Sequence, residues 1–259
     1  MLGIETVREH DGPVSMEAVH CDTAGSHTVL VCVPGIFETF EGLLGELHAR
    51  MLLQFAACDY DLVQALCNQH LIVSAADLTD DPAHEAILLP ANIAPIRSLL
   101  PEAARSHHHR HATRVLRRWL AVTAGTPEAK PTPRPVFPLD DVNTHRAATA
   151  AWARQPRINA MINAEPGLRD KSLEVFGPGL VALQRGHGTY SRYVAGTMQY
   201  GHALLTLDMR LLRSGPHTPA TDTLAGRMAY LDDAAAYIGQ LPDDVTLAAV
   251  HLDLPDNDA

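Results

Sequence analysis

Hydrophobic and polar positions change their spacing along the chain, and this spacing predicts where strands and helices lie. Residues 14–34 alternate, are interrupted by a turn at 22–26, and end in a run of β-branched residues at 28–33, as is typical of a β-hairpin or arm. Residues 245–252 form a second apolar run, which we expect to pair with this arm. The sequence therefore predicts a small β element built from the two ends of the chain.

Between the two ends, apolar residues recur at steps of three or four, the spacing of amphipathic helices. This spacing predicts helices over residues 37–55, 59–73, 112–120, 141–154, 156–164, 167–213 and 221–240. Prolines limit residues 82–101 to short helices, and the proline-rich stretch 125–138 is predicted to be a surface loop or a lid. The predicted fold is mainly α, with a β arm over residues 1–34 and a helical domain over residues 35–259.

Composition narrows the class of protein. The chain has 259 residues and a formal net charge of −10, which argues against nucleic acid or an anionic membrane as the main partner. No segment approaches the roughly 20 apolar residues that span a bilayer, and the N-terminus lacks the basic and apolar pattern of a secretory signal. The four cysteines lack CxxC spacing, so we expect reduced thiols and a cytoplasmic location.

The chain contains 15 histidines, and His187 has the most informative neighbours. It continues an apolar stripe that begins at Leu180 and Leu183, so the spacing predicts that it points into the core. Gly186 and Gly188 flank it, although glycine destabilises a helix interior by roughly 1 kcal/mol relative to alanine. Two interpretations follow: a flat group approaches the helix backbone here, or the helix breaks around a hydrogen-bonded core histidine.

Other histidines are weaker candidates. His70 lies on an apolar stripe of its own, and His48 lies on the shoulder of the first predicted helix. A further cluster at residues 107–111 is interleaved with arginines, which would repel a metal cation. This cluster indicates either a solvated basic helix start or a contact with an anion or acidic substrate.

Residues 144–197 resemble the haem-binding half of the indoleamine 2,3-dioxygenase family. The matching elements occur in the family's order: His145-Arg146, Pro156, Gly167-Leu168-Arg169, the run 180–183, His187, Tyr193-Val194 and Gly196-Thr197. Two features differ, because Gln184 stands where the family has an arginine and the glycine-rich loop after the histidine is shortened. The short chain and the altered loop point toward the compact bacterial haem tyrosine hydroxylases of the wider group of histidine-ligated aromatic oxygenases.

The resemblance implies a non-covalent haem b, with His187 as the axial ligand of the iron. It also implies that Arg185 lies near a haem propionate and that Gly186 and Gly188 admit the porphyrin. By the same resemblance, Gly196 and Thr197 would hold the amino-acid end of the substrate. The predicted architecture is accordingly a helical haem-binding bundle with a small β element.

The implied activity is haem-dependent hydroxylation of an aromatic amino acid, with L-tyrosine converted to 3-hydroxytyrosine by hydrogen peroxide in secondary-metabolite biosynthesis. Peroxide chemistry needs a distal acid and base, for which His70 is the first choice and His48 and His84 are reserves. Two alternatives stay open: ring-opening dioxygenation of tryptophan or another indole with dioxygen, and a non-catalytic haem-binding or haem-sensing protein. Related enzymes range from monomers to tetramers, and a homodimer is weakly favoured.

Overall fold

The computed structural model describes residues 26–37, 39–55, 71–74, 88–131, 142–166, 176–213 and 223–253. Within them, the α-helices are α1 (Phe40–Phe55), α2 (Pro101–Val122), α3 (Val142–Ala153), α4 (Pro156–Ala164), α5 (Pro178–Gln184), α6 (His187–Tyr200) and α7 (Leu224–Ile238). The strands are β1 (Ser26–Val33), β2 (Leu71–Ser74), β3 (Leu88–Ala91), β4 (Ile93–Pro95), β5 (Ala203–Leu205), β6 (Leu211–Arg213) and β7 (Thr246–Asp253). The prediction of a mainly helical protein with a small sheet is confirmed.

A five-stranded sheet in the order β4-β7-β1-β5-β6 joins the two ends of the described chain. Strand β1 pairs antiparallel with β7 along eight residues and parallel with β5 on its other side. The predicted pairing between the terminal apolar segments is therefore confirmed, and β1 is the central strand of the sheet. The part of the predicted arm before residue 26 lies outside the described residues.

Both faces of the sheet are covered by helices. On one face Val29 and Val31 pack with α1, and on the other Leu30 packs with Tyr230 and Leu231 of α7. A strand buried on both faces reads as a continuous apolar run, which explains the sequence of β1. The thiol of Cys32 is free and lies in this core, where burial raises its pKa to about 12.

The helices α2 to α6 form a second core beside the sheet. Its largest fully buried side chains include Leu116 of α2, Ile158 and Met161 of α4, and Leu180 of α5. Helix α2 packs mainly against α6. Their antiparallel arrangement is shown at one end by the side-chain amide of Gln199, which donates to the carbonyl oxygen of Pro101 at 3.3 Å.

The predicted helix over residues 167–213 is wrong. Helix α5 ends at Gln184, and Gly186 then takes a φ of +98°, a conformation that favours glycine and interrupts the helix. Helix α6 ends before Gly201, whose φ is +65°, and the chain continues into β5 and β6. A side chain at Gly201 would also collide with the carbonyl oxygen of Thr28, since a Cβ there would lie 2.6 Å from it.

The helix predicted over residues 59–73 is wrong at its end, where residues 71–73 lie in strand β2 and the rest lies outside the described residues, while the other predicted helices agree more closely. Helices α1, α4 and α7 lie within a few residues of their predicted ranges, and α3 covers most of 141–154. Helix α2 is longer than predicted, because Pro101 starts it at a position that tolerates proline. The prediction that only short helices occur before Pro101 agrees with the 3₁₀ helix Ile96–Ser98, whereas Pro90 and Pro95 lie in strands β3 and β4.

The first half of the proline-rich stretch is a fixed loop. Gln184 accepts a hydrogen bond from the backbone N–H of Ala129 at 2.7 Å and donates to its carbonyl oxygen at 3.0 Å. Gln155 bonds the backbone of Lys130 in the same two ways. Two glutamines therefore hold this loop against α4 and α5, and residues 132–138 lie outside the described part. None of the described helices is long and apolar enough to cross a membrane.

Candidate functional site

Helix α2 has one buried face and one strongly basic face. Its buried positions recur at helical spacing and comprise Ala104, His108, Ala112, Leu116 and Trp119. Leu116 and Trp119 belong to the same core cluster as Tyr190 and Tyr193 of α6. Because this face is fixed in the core, the opposite face of α2 is held outward with its arginines.

A cavity of about 440 Å³ lies along the basic face. We call it the arginine groove, and its described lining residues are His107, His109, Arg110, Thr113, Arg114 and Arg117. Residues 107, 110, 114 and 117 follow one stripe of the helix at steps of three and four. The volume lies within the range of small-molecule sites.

The three arginines of the groove lack the ion pairs that other arginines of α2 have. Arg105 pairs with Glu102, and Arg118 pairs with Glu165. In the described part of the chain, no hydrogen bond or ion pair is found for Arg110, Arg114 or Arg117. Within the described residues, the groove therefore carries three guanidinium groups that no carboxylate engages.

Two histidines lie next to these arginines, and the pKa of one of them is lowered. Partial burial, followed by the positive charges of Arg110 and Arg114, lowers the pKa of His107. His109 lies at the edge of the groove, and its ring centroid is 6.1 Å from that of His187 in an edge-to-face arrangement. His109 thus lines the groove on one side and contacts the first residue of α6 on the other.

Thr113 contributes a hydroxyl that is already engaged. Its Oγ1 donates to the backbone carbonyl oxygen of His109 at 2.9 Å. The hydroxyl can therefore accept a hydrogen bond from a ligand, but it does not offer its proton to an anion. Recognition of an anion in the groove falls to the guanidinium and imidazole groups.

The predicted inward orientation of His187 is wrong. His187 is the first residue of α6 and its side chain is exposed, although Leu180, Leu183 and Tyr190 of the same predicted stripe are buried. The turn at Gly186 explains the difference, because it resets the direction of the chain between two helices. Arg185 and Gly188 are exposed on either side of this turn.

The described surroundings of His187 do not fit a haem b pocket. A porphyrin needs apolar walls, whereas His187 is exposed, Arg185 and Gly188 beside it are exposed, and the ring that contacts it is that of His109. A ring bound at this exposed turn would remain largely in water. We therefore derive no chemical step through haem.

The two residues expected to hold the substrate lie inside α6 rather than in a loop. Gly196 faces α7, where an added Cβ would lie 2.7 Å from Cδ1 of Leu231. The absent side chain thus allows two helices to approach closely. Thr197 is half-buried, and its carbonyl oxygen accepts from the N–H of Gly201 at the end of the helix.

The remaining candidates are not brought to the groove. His48 is exposed on α1, the helix that covers one face of the sheet. His70 and His84 lie outside the described residues, so their proposed distal roles stay predictions. Among the residues that the structure describes, no three histidine, cysteine, aspartate or glutamate side chains form a metal-binding group.

Two features of the site went unrecognised in the sequence. The local sequence does not identify Thr113 as part of a site, and proximity in sequence does not separate the arginines of the groove from Arg105 and Arg118. The steps from 107 to 110, 114 and 117 are the signal that could have defined the stripe. Which arginines have carboxylate partners could be predicted only for the local pair of Arg105 and Glu102, because Arg118 finds its partner in Glu165 through the packing of the fold.

Comparisons with protein-family models, with curated proteins and with solved structures find no match.

Proposed function

We propose that this protein binds an anionic ligand in the arginine groove. The observation that carries the proposal is the set of three arginines, Arg110, Arg114 and Arg117, which line one cavity without a carboxylate partner in the described chain. Guanidinium groups bind phosphate and carboxylate through two parallel hydrogen bonds. The chemistry of the groove therefore supports binding of an anion.

Placing three arginines on one face of a helix lowers the stability of that helix, and a bound anion would offset this loss. Like charges three or four residues apart on a helix destabilise it by about 0.2–0.5 kcal/mol per pair. Arg114 has such a neighbour on each side, in a chain whose acidic residues exceed its basic ones by 30 to 20. An anion between these side chains removes the repulsion and satisfies their donors.

Isothermal titration calorimetry with inorganic tripolyphosphate tests the proposal. We expect the wild-type protein to bind this anion at low salt and Arg114→Gln to bind it roughly tenfold more weakly, the equivalent of one charge-assisted contact. Arg105→Gln is the matched control, since it removes the same charge from the same helix at a residue already paired with Glu102. Absence of binding, or an equal loss in both variants, would overturn the proposal.

Haem-dependent oxygenation stays a prediction from the sequence resemblance. The match over residues 144–197 supports it, and the exposed position of His187 does not. An absorbance spectrum recorded after addition of haem is the test. A Soret band that His187→Ala abolishes would support the haem-bundle architecture and the oxygenase, whereas no band would exclude them.

The predicted substrates follow from the same proposal. If haem binds, product masses with tyrosine and peroxide, compared with tryptophan and dioxygen, separate hydroxylation from ring opening. Haem binding without turnover of either substrate favours the sensing alternative. The cytoplasmic location and the homodimer are also predictions, and sedimentation velocity measures the latter.

A further inference from the structure

We infer that the ligand of the arginine groove is a small molecule with two or more anionic groups, phosphates or carboxylates, rather than a single anion or a nucleic acid. This inference rests on the proposed function and specifies its ligand class. It is carried by the spacing of the arginines, by the size of the groove and by the charge around it.

The spacing of the arginines exceeds what one anionic group can contact. From Arg110 to Arg117 the helix rises about 10 Å, at 1.5 Å for each of seven residues. A lone phosphate can engage two neighbouring arginines of this stripe and leaves the third unpaired. A ligand with several anionic groups along its length can engage all three at once, and each group then adds to the affinity of the others.

The volume of the groove and the charge of the chain set an upper limit on the size of the ligand. The groove has a volume of about 440 Å³, within the range of small-molecule sites. The chain as a whole carries a net charge of −10, in contrast to the basic stripe. This net negative charge opposes the binding of a long polyanion such as a nucleic acid, which would extend beyond the stripe.

The planar donors suit both phosphate and carboxylate, so the test separates these two sources. The probes are inorganic orthophosphate, pyrophosphate, tripolyphosphate, citrate and a single-stranded DNA of about 20 nucleotides, each titrated by calorimetry at the same ionic strength. We expect tripolyphosphate or citrate to bind at least roughly tenfold more tightly than orthophosphate. Whichever of the two binds more tightly identifies the favoured group.

Substitutions at the two ends of the stripe sharpen the test. Arg110→Gln and Arg117→Gln should each weaken binding of the multiply charged probe, while at most one of them should affect orthophosphate. Arg105→Gln should affect neither probe. A loss in both end variants confirms that one ligand spans the stripe.

Three outcomes would overturn the inference, and they differ from failure of the proposed function. Equal affinity for orthophosphate and tripolyphosphate would indicate a single-anion site. Tighter binding of the DNA, with a steep dependence on salt, would indicate a nucleic-acid surface. Loss of multiply charged binding in only one end variant would show that the stripe is not spanned. If no probe binds, the proposed function itself fails.

Discussion

Two neighbouring histidines of helix α2 lie in different environments. His108 lies on the buried face of the helix, and His107 lines the arginine groove on the other side. His108 is 5% exposed on the buried face, and burial, with smaller contributions from His107 and His111, lowers its pKa to about 4. Neither ring nitrogen of His108 has a hydrogen-bond partner in the described structure. On the other side, His107 lies beside Arg110 and Arg114.

The difference shows that the number of histidines and arginines in a segment does not by itself define a ligand-binding site. Buried polar groups lower stability when they lack partners, by about 1–3 kcal/mol each. Exposed arginines cost little and keep their hydrogen-bonding capacity. One face of α2 should therefore respond to substitution through stability and the other through ligand binding.

The largest expected effect follows from truncation on the buried face. Leu116→Ala removes a side chain that is 1% exposed and should lower the free energy of unfolding by about 2–5 kcal/mol, because it leaves a cavity. Arg114→Ala, two residues earlier on the other face, should change it by no more than about 0.5 kcal/mol. Urea denaturation of both variants measures this difference. Similar losses of unfolding free energy in the two variants would contradict the assignment of a buried and an exposed face.

Acid should destabilise the protein through His108. The unfolded chain takes up a proton near pH 6.5 and the folded protein only near pH 4, so this contribution to stability is lost as the pH falls between these values. The loss amounts to roughly 3 kcal/mol and is complete near pH 4. His108→Leu removes it, while the carboxylates titrate in both proteins.

Denaturation at several pH values measures this effect as the difference between the wild type and His108→Leu. The wild type should lose stability relative to the variant from pH 7 to pH 4. His107→Leu, on the other face, is the control and should show a smaller difference. A constant difference between the wild type and His108→Leu across this range would contradict the buried, neutral state of His108.

Helix α6, which packs against α2, also has one closely packed position and one open position. Substitutions at these two positions should change stability less than Leu116→Ala does. Gly196→Ala places a Cβ against Leu231 and should destabilise the protein by about 1 kcal/mol, after the gain in helix propensity is counted. Gly188→Ala meets no atom within 4 Å and should be neutral or stabilising. Thermal unfolding of the two variants distinguishes them, and equal shifts would show that the close approach of α6 and α7 is unimportant.

The smallest effect concerns stability at the groove. Arg114→Gln relieves repulsion from Arg110 and Arg117 and should raise the free energy of unfolding by about 0.5 kcal/mol at low salt. Arg105→Gln breaks a pair with Glu102 and should lower it by a few tenths of a kcal/mol. Both changes should vanish at about 1 M salt, where the Debye length is about 3 Å. Persistence at high salt would exclude an electrostatic origin.

The sequence predicted those features that depend on local periodicity. Apolar spacing identified α1, α4 and α7, and the runs at the two ends of the chain predicted the pairing of β1 with β7. The long helix around His187 was wrong because its stripe continues in register across the turn. Leu180 and Tyr190 are both buried, yet they belong to two helices separated by Gly186.

The candidate site was only partly predictable for a different reason. The sequence shows a histidine cluster at residues 107–111, interleaved with arginines, and leaves open whether it is solvated or binds an anion. The choice depends on which arginines have carboxylate partners, and Arg118 finds its partner in Glu165, far along the chain. Such pairings follow from the packing of α2 and α4 and leave no local pattern.

The most direct test of the central claim is nuclear magnetic resonance of the arginine Nε–Hε groups during titration with tripolyphosphate. The account predicts that the resonances of Arg110, Arg114 and Arg117 shift together with one affinity, while those of Arg105 and Arg118 stay in place. Uniform small shifts of all five, or larger shifts of Arg105 and Arg118, would contradict a ligand site in the arginine groove.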